Sequence, residues 1–154
     1  MIPATVADAA RELKAVLETA PAMLAALPDE AAARPRAPGK WSRKQILGHL
    51  VDSAANNHQR FVRASLAGSL AFPRYEQEKW VDLEGYADRP WTRIIGLWVE
   101  YNHHLVHLME RIPADRHAAP CIVEKSDPVT LEFLMRDYVR HLKHHLAQIW
   151  DVPA

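Results

Sequence analysis

Residues 130–150 read TLEFLMRDYVRHLKHHLAQIW. Leu131, Leu134, Met135, Tyr138, Leu142, Leu146 and Ile149 recur every three or four positions, which is the period of one helical face and not the two-residue alternation of a strand. The spacing predicts an amphipathic helix from about Thr130 to Trp150. That helix carries His141, His144 and His145 within five positions, so its reading bears on function as well as fold.

The same period recurs upstream. From about Ala4 to Leu27 it runs through Val6, Ala9, Leu13, Val16, Leu17, Ala20 and Leu24. A further segment starts at WSRKQ, where Ser42 and Gln45 are spaced as a capping box, and extends to about Ala67. From about Trp91 to Arg111 the stripe is Ile94, Trp98, Tyr101, Leu105, Leu108 and Ile112. Only five glycines occur, and the eleven prolines fall between these segments or near their ends, Pro21 and Pro153 among them. The expectation is an all-α four-helix bundle, one domain over residues 1–154, with essentially no sheet. Two connections are long, about 68 to 90 and 112 to 129, and connections of that length are commonly functional or partly structured. The first carries Phe72, Tyr75, Trp80 and Tyr86, enough aromatic surface to pack across one end of the bundle.

Composition narrows the function. Nineteen basic and nineteen acidic residues balance, and no basic face follows a phosphate backbone, so nucleic acid is not an expected partner. Charges interrupt every apolar run, so no membrane span is expected. The lone Cys121 excludes a disulfide framework, and charges at Asp8, Arg11, Glu12 and Lys14 stand where a signal peptide needs an apolar run. A cytoplasmic protein acting on a small molecule is the expectation.

Nine histidines then offer chemistry. Both His103/His107 and His141/His145 have the i, i+4 spacing that places two imidazoles on one helical face, about 5–6 Å apart at Cβ. Each residue turns a helix by about 100°. His103 and His107 therefore fall nearly opposite their stripe and read as solvated surface. His145 lies at the edge of its stripe with His141 beside it, while His144 points further out. Two imidazoles need a third ligand, and three His around Zn²⁺ or a similar ion leave an open position for water or substrate. His49 is the candidate, yet it lies off the stripe of Leu47, Leu50, Ala54 and Phe61, on a face with Asp52, Asn56, Arg60 and Arg63; periodicity favours surface for it. His58 falls nearer the apolar side and reads as a satisfied core histidine.

The strings KWSRKQILGHLVDSAANNHQRF (40–61), FPRYEQEKW (72–80) and LEFLMRDYVRHLKHHLAQI (131–149) together resemble the DinB superfamily, and within it the YfiT-like metal-dependent hydrolases. The resemblance extends from about Pro35 to Trp150. It implies a bundle holding one divalent ion, zinc or nickel, through His49, His141 and His145. It also implies hydrolysis or the transfer of a low-molecular-weight thiol cosubstrate, and a homodimer. It moves His49 from the surface into a cleft.

Around such an ion, Asp52 is one turn from His49 and reads equally as a general base or water orienter and as a solvated carboxylate. Arg60 and Arg63 are candidates for binding an anionic substrate, the surface being the commoner place for helix arginines. His144 and Gln148 flank the pair and are candidates for supporting it from behind, with His144 reading more readily as exposed; Tyr138 reads as core. Cys121, beside Pro120 and without a neighbouring base, does not read as a catalytic thiol. Two further classes compete with an enzyme: a metal-binding, stress-associated bundle without turnover, and a plain helical scaffold.

Overall fold

The computed structural model describes residues 1–150, so Pro153 lies outside the described residues. Four long helices carry the fold: α1 (Val6–Ala25), α3 (Arg43–Ala67), α5 (Trp91–Arg111) and α6 (Leu131–Trp150). Short helices α2 (Asp29–Ala33) and α4 (Gln77–Glu84) lie in the connections. Local chemistry sets the helix starts. Thr5 accepts from the Asp8 amide, Thr130 from the Phe133 amide, and Ser42 with Gln45 forms the predicted capping box, each side chain taking the other's backbone N–H. Gly68 ends α3 at φ 77°, a left-handed conformation that favours glycine.

The apolar stripes meet as expected. Leu13 and Leu24 of α1, Leu47, Leu50 and Phe61 of α3, Ile94, Trp98 and Leu105 of α5, and Leu131, Met135 and Leu142 of α6 are all buried in one cluster. Each such side chain contributes about 1.5–3 kcal/mol on burial. α1 packs on α5 and α6, and α3 packs on the same two helices. The successive long helices α1 and α3 are thus diagonal, and α3 lies against the chain-distant α6. That arrangement brings the second histidine segment to the last one.

The expectation of essentially no sheet needs correction. β1 (Leu70–Phe72) runs parallel to β2 (Pro120–Val123), which pairs antiparallel with β3 (Val129–Thr130), in the register Leu70↔Cys121, Phe72↔Val123 and Cys121↔Val129. Strands of two to four residues are too short to show alternation, and their pairing is between the two long connections, which no local pattern reports. Tyr86 is buried, and Phe72 and Tyr75 are partly so, while Trp80 stays on the surface.

α3 is enclosed on more than its apolar stripe. Arg43, Lys44, His49, Asp52, Ser53 and Asn56 are all buried. α2, α4 and the 3₁₀ turn Tyr86–Asp88 pack against α3 beyond α5 and α6. Charges at its start are satisfied within this cover: Arg43 Nε donates to the Ile149 carbonyl at 2.8 Å, and Lys44 Nζ reaches Asp29 at 2.8 Å.

Candidate metal centre

His49, His141 and His145 converge between α3 and α6, with one ring nitrogen from each lying within 4.8 Å of the others. The Nε2 atoms of His49 and His141 are 3.4 Å apart. Two nitrogens bound to one ion at about 2.0–2.1 Å and a tetrahedral angle would be about 3.3–3.4 Å apart, so the cluster has the dimensions of a coordination site. His49 is wholly buried, and the other two are partly accessible, which leaves an open side. The surface expectation for His49 from periodicity is therefore overturned, because α6 packs against this side of α3, with the His141 and His145 rings 5.3 and 4.8 Å from that of His49 and Trp41 beside it.

The protonation states suit ligands. Burial, then the neighbouring His145 and His141, push His49 down to about 3. Burial and His145 push His141 down to about 4 against the opposing charge of Asp137. Burial also lowers His145, with Gln148 opposing. All three imidazoles are neutral at pH 7 and each offers a lone pair. Gln148 Oε1 lies 2.9 Å from His145 Nδ1. A carboxamide oxygen only accepts, so Nδ1 carries the proton and Nε2 is left free to bind. Gln148 thus supports His145, while the exposed His144 makes its one hydrogen-bond contact among the described residues with the Gln148 amide, at 3.4 Å, and stands edge-on to the His145 ring with centroids 5.3 Å apart. His49 packs beside Trp41, ring centroids 5.3 Å apart, and its Nδ1 is buried without a partner among the described residues. The donor set is three neutral nitrogens, which fits zinc, nickel and related divalent ions.

Asp52 is not a solvated carboxylate. It is buried, and Oδ1 accepts from the Tyr86 hydroxyl at 2.7 Å. Burial and the neighbouring Glu84 carboxyl push its pKa up to about 8, against the lowering effect of Tyr86. Its carboxyl thus tends to keep a proton where an ordinary carboxylate has lost it, a setting that fits neither the solvated carboxylate nor a ready general base, and Oδ2 is buried without a partner among the described residues. Tyr86 reaches this carboxyl because residue 48 is glycine: a Cβ there would stand 2.2 Å from the Tyr86 ring. A glycine inside a helical pattern signals close approach, and Gly48 was the available sign of this contact.

A cavity of about 460 Å³ opens beside His141. Ser53, Asn57 and Arg60 of α3, the Arg74–Tyr75 segment, the β2–β3 hairpin, and Asp137 and Tyr138 of α6 line it. Arg60 therefore belongs to the site's surroundings. Arg63 does not: it bonds Gln59 at 2.9 Å and lines a separate space of about 600 Å³ with Phe72 and Trp80. Tyr138 is core as expected, its hydroxyl donating to Asn102 at 2.6 Å. Sequence reasoning did not find Arg74, Tyr75 and Asp137 as cavity walls, since only the pairing of the two connections brings them together.

The remaining candidates fall elsewhere. His103 and His107 are exposed on α5. His58 is half-buried, with Nδ1 2.9 Å from the Tyr101 hydroxyl. Cys121 is buried in β2, and burial raises its thiol pKa, which removes the thiolate a nucleophile needs. No helix among the described residues is long and apolar enough to cross a membrane.

Known proteins resemble this chain in sequence and fold. A protein of Oceanobacillus iheyensis named "Putative metal-dependent hydrolase" is 25% identical over 123 residues, covering 80% of this chain and 70% of that protein. "Putative metal-dependent hydrolase YfiT" of Bacillus subtilis is 25% identical over 142 residues, covering 89% and 80% respectively. The solved structure of Bacillus subtilis YfiT, described as a probable metal-dependent hydrolase with an unusual four-helix bundle topology, aligns with a TM-score of 0.81 at 23% identity over 94% of this chain and 85% of that one. That likeness establishes the fold. The model of the DinB superfamily matches residues 12–149, nearly the whole described chain, and this chain belongs to the DinB superfamily.

Proposed function

We propose that this protein is a divalent-metal-dependent enzyme with His49, His141 and His145 as its metal ligands, and that its reaction is hydrolysis. The observation that carries the reading is the convergence of three neutral imidazoles, one wholly buried, beside a cavity of ligand size. Names given to the relatives in Oceanobacillus iheyensis and Bacillus subtilis support the same class. A divalent cation held by three neutral ligands keeps its full charge, and so lowers the pKa of water, or of a thiol, at the open position.

The chain's own residues supply the rest. Burial of His49 fixes one ligand in place and keeps water off that side of the cluster. Gln148 holds the His145 proton on Nδ1, which keeps Nε2 available. The cavity beside His141 receives the substrate, and its walls orient the scissile group toward the accessible side of the cluster. Tyr138 keeps its hydroxyl turned to Asn102, so it donates no proton to this site. Zinc and nickel are the proposed ions, both matching an all-imidazole donor set.

The test compares metal-loaded and chelated protein on panels of esters, amides and thiol-plus-electrophile pairs. Ester or amide turnover that vanishes on chelation and in His141→Ala supports hydrolysis. Turnover confined to the thiol panel assigns the same centre to thiol transfer, and inactivity on every panel at full metal loading identifies a non-catalytic metal-binding bundle.

A further inference from the structure

The cavity beside His141 contains a charge without a counterpart. Arg60 is half-buried, and its Nε is inaccessible and lacks a hydrogen-bond partner. Its guanidinium lies over the Phe72 ring, 5.6 Å from the centroid, and no carboxylate among the described residues pairs with it. Buried charges are ordinarily paired. Here the folded chain keeps one open toward a cavity.

The other charges on the cavity wall do not complete it. Asp137 is taken by Arg140, whose Nε lies 2.6 Å away, and Arg74 is engaged by Glu124 at 3.6 Å. Asp127 is exposed on the hairpin, where water screens it. Hydrogen-bond donors stand near Arg60 on the same wall. Ser53 Oγ accepts from the Asn57 amide at 3.4 Å and is a hydrogen-bonding neighbour of Tyr75, and burial pushes the Tyr75 phenol up to about 12 against the lowering effect of Ser53 and Arg60, so Tyr75 keeps its proton. Burial lowers the Arg60 pKa, Tyr75 opposes this, and Arg74 adds to the lowering, which is the signature of two guanidinium groups sharing one neighbourhood.

We infer that this cavity binds a small molecule through an oxyanion group, a carboxylate or phosphate, held by the Arg60 guanidinium with help from Ser53 and Tyr75. An arginine fork matches the two oxygens of such a group. Arg60 is eleven residues beyond His49 on α3, about 16 Å of helix rise at 1.5 Å per residue. The ligand is therefore elongated, with its anionic end at Arg60 and its reactive end toward His141. The inference names the substrate class for the proposed metal centre and rests on that reading only for the second part: anion binding at Arg60 needs no ion.

Calorimetric titration of the full chain tests it, with glutarate, its neutral diamide glutaramide, and inorganic phosphate as probes, on metal-loaded and on chelated protein. Wild type should bind glutarate or phosphate and not glutaramide, with similar affinity in both metal states. Arg60→Gln should weaken binding about 10- to 100-fold, Arg60→Lys should weaken it less, and Arg93→Gln, on the surface of α5, should leave it unchanged. Circular dichroism melts establish that the variants fold, and Arg60→Lys keeps the test available should Arg60→Gln unfold. Equal binding of glutaramide, unchanged binding in Arg60→Gln, no saturable binding by wild type, or binding that disappears on chelation would each overturn the inference. Metal content, measured on the same samples, reports separately on the metal centre.

Discussion

The Nε2 atoms of His49 and His141 stand 3.4 Å apart across a separation of 92 residues. At that distance a proton on either ring nitrogen places a charge against its neighbour. His49 is held at about 3 and His141 at about 4, both below the ordinary imidazole value of 6.5. The unfolded chain therefore binds these protons first as pH falls, and the stability present above about pH 6.5 is lost progressively down through the folded values. In chelated protein the urea midpoint should drop between about pH 7 and pH 5, and His49→Gln should flatten that dependence. An equally steep profile in the variant would place the titration elsewhere.

Asp52 titrates in the opposite sense. Its folded pKa is raised from 3.8 to about 8, so the folded state holds the proton more tightly than the unfolded one. Its contribution is fully present below the unfolded value and disappears as pH rises through about 8. As pH rises from about 7 to about 8, above the range in which the histidines titrate, urea midpoints of the wild type should fall, and Asp52→Asn, which keeps an uncharged group beside Tyr86, should remove most of that fall.

Gly48 provides a packing test. Alanine is intrinsically the better helix residue by about 1 kcal/mol. At this position its Cβ would stand 2.2 Å from the Tyr86 ring, so Tyr86 would have to leave Gly48 and its hydrogen bond to Asp52. Gly48→Ala should destabilise the protein by about 1–3 kcal/mol in urea unfolding. The same change at Gly96, where nothing lies within 4 Å, should not destabilise it.

Much of this was legible in the sequence, and the reasons are specific. The stripes of α1, α3, α5 and α6 and the capping box at Ser42 and Gln45 are local patterns, and the structure contains them where the spacing placed them. The exposure of His103 and His107 also follows from facing alone. His49 does not: its burial depends on cover by segments distant in sequence, and only family resemblance moved it inward. The same cause hid the three-strand pairing and the cavity wall at Arg74 and Tyr75. The choice between the two readings of Asp52 was out of reach of local pattern, because its protonation depends on Tyr86 and on Glu84, 34 and 32 positions along the chain respectively.

Gln148 separates support from bystander. Its Oε1 accepts from His145 Nδ1 at 2.9 Å, whereas His144 contacts neither His49 nor His141 by hydrogen bond. Gln148→Leu should weaken divalent-ion affinity about 10- to 100-fold, the usual effect of removing a partner behind a ligand. His144→Ala should change it much less. Competition titration with a chromogenic chelator measures both, and equal losses would refute the distinction.

Metal stoichiometry in tag-free protein bears most directly on the central claim. Elemental analysis after loading with zinc or nickel should find one ion per chain in wild type and in His103→Ala, and little or none in His49→Ala, His141→Ala or His145→Ala. A wild type that retains no ion, or a His49→Ala protein that still holds one, would contradict the account.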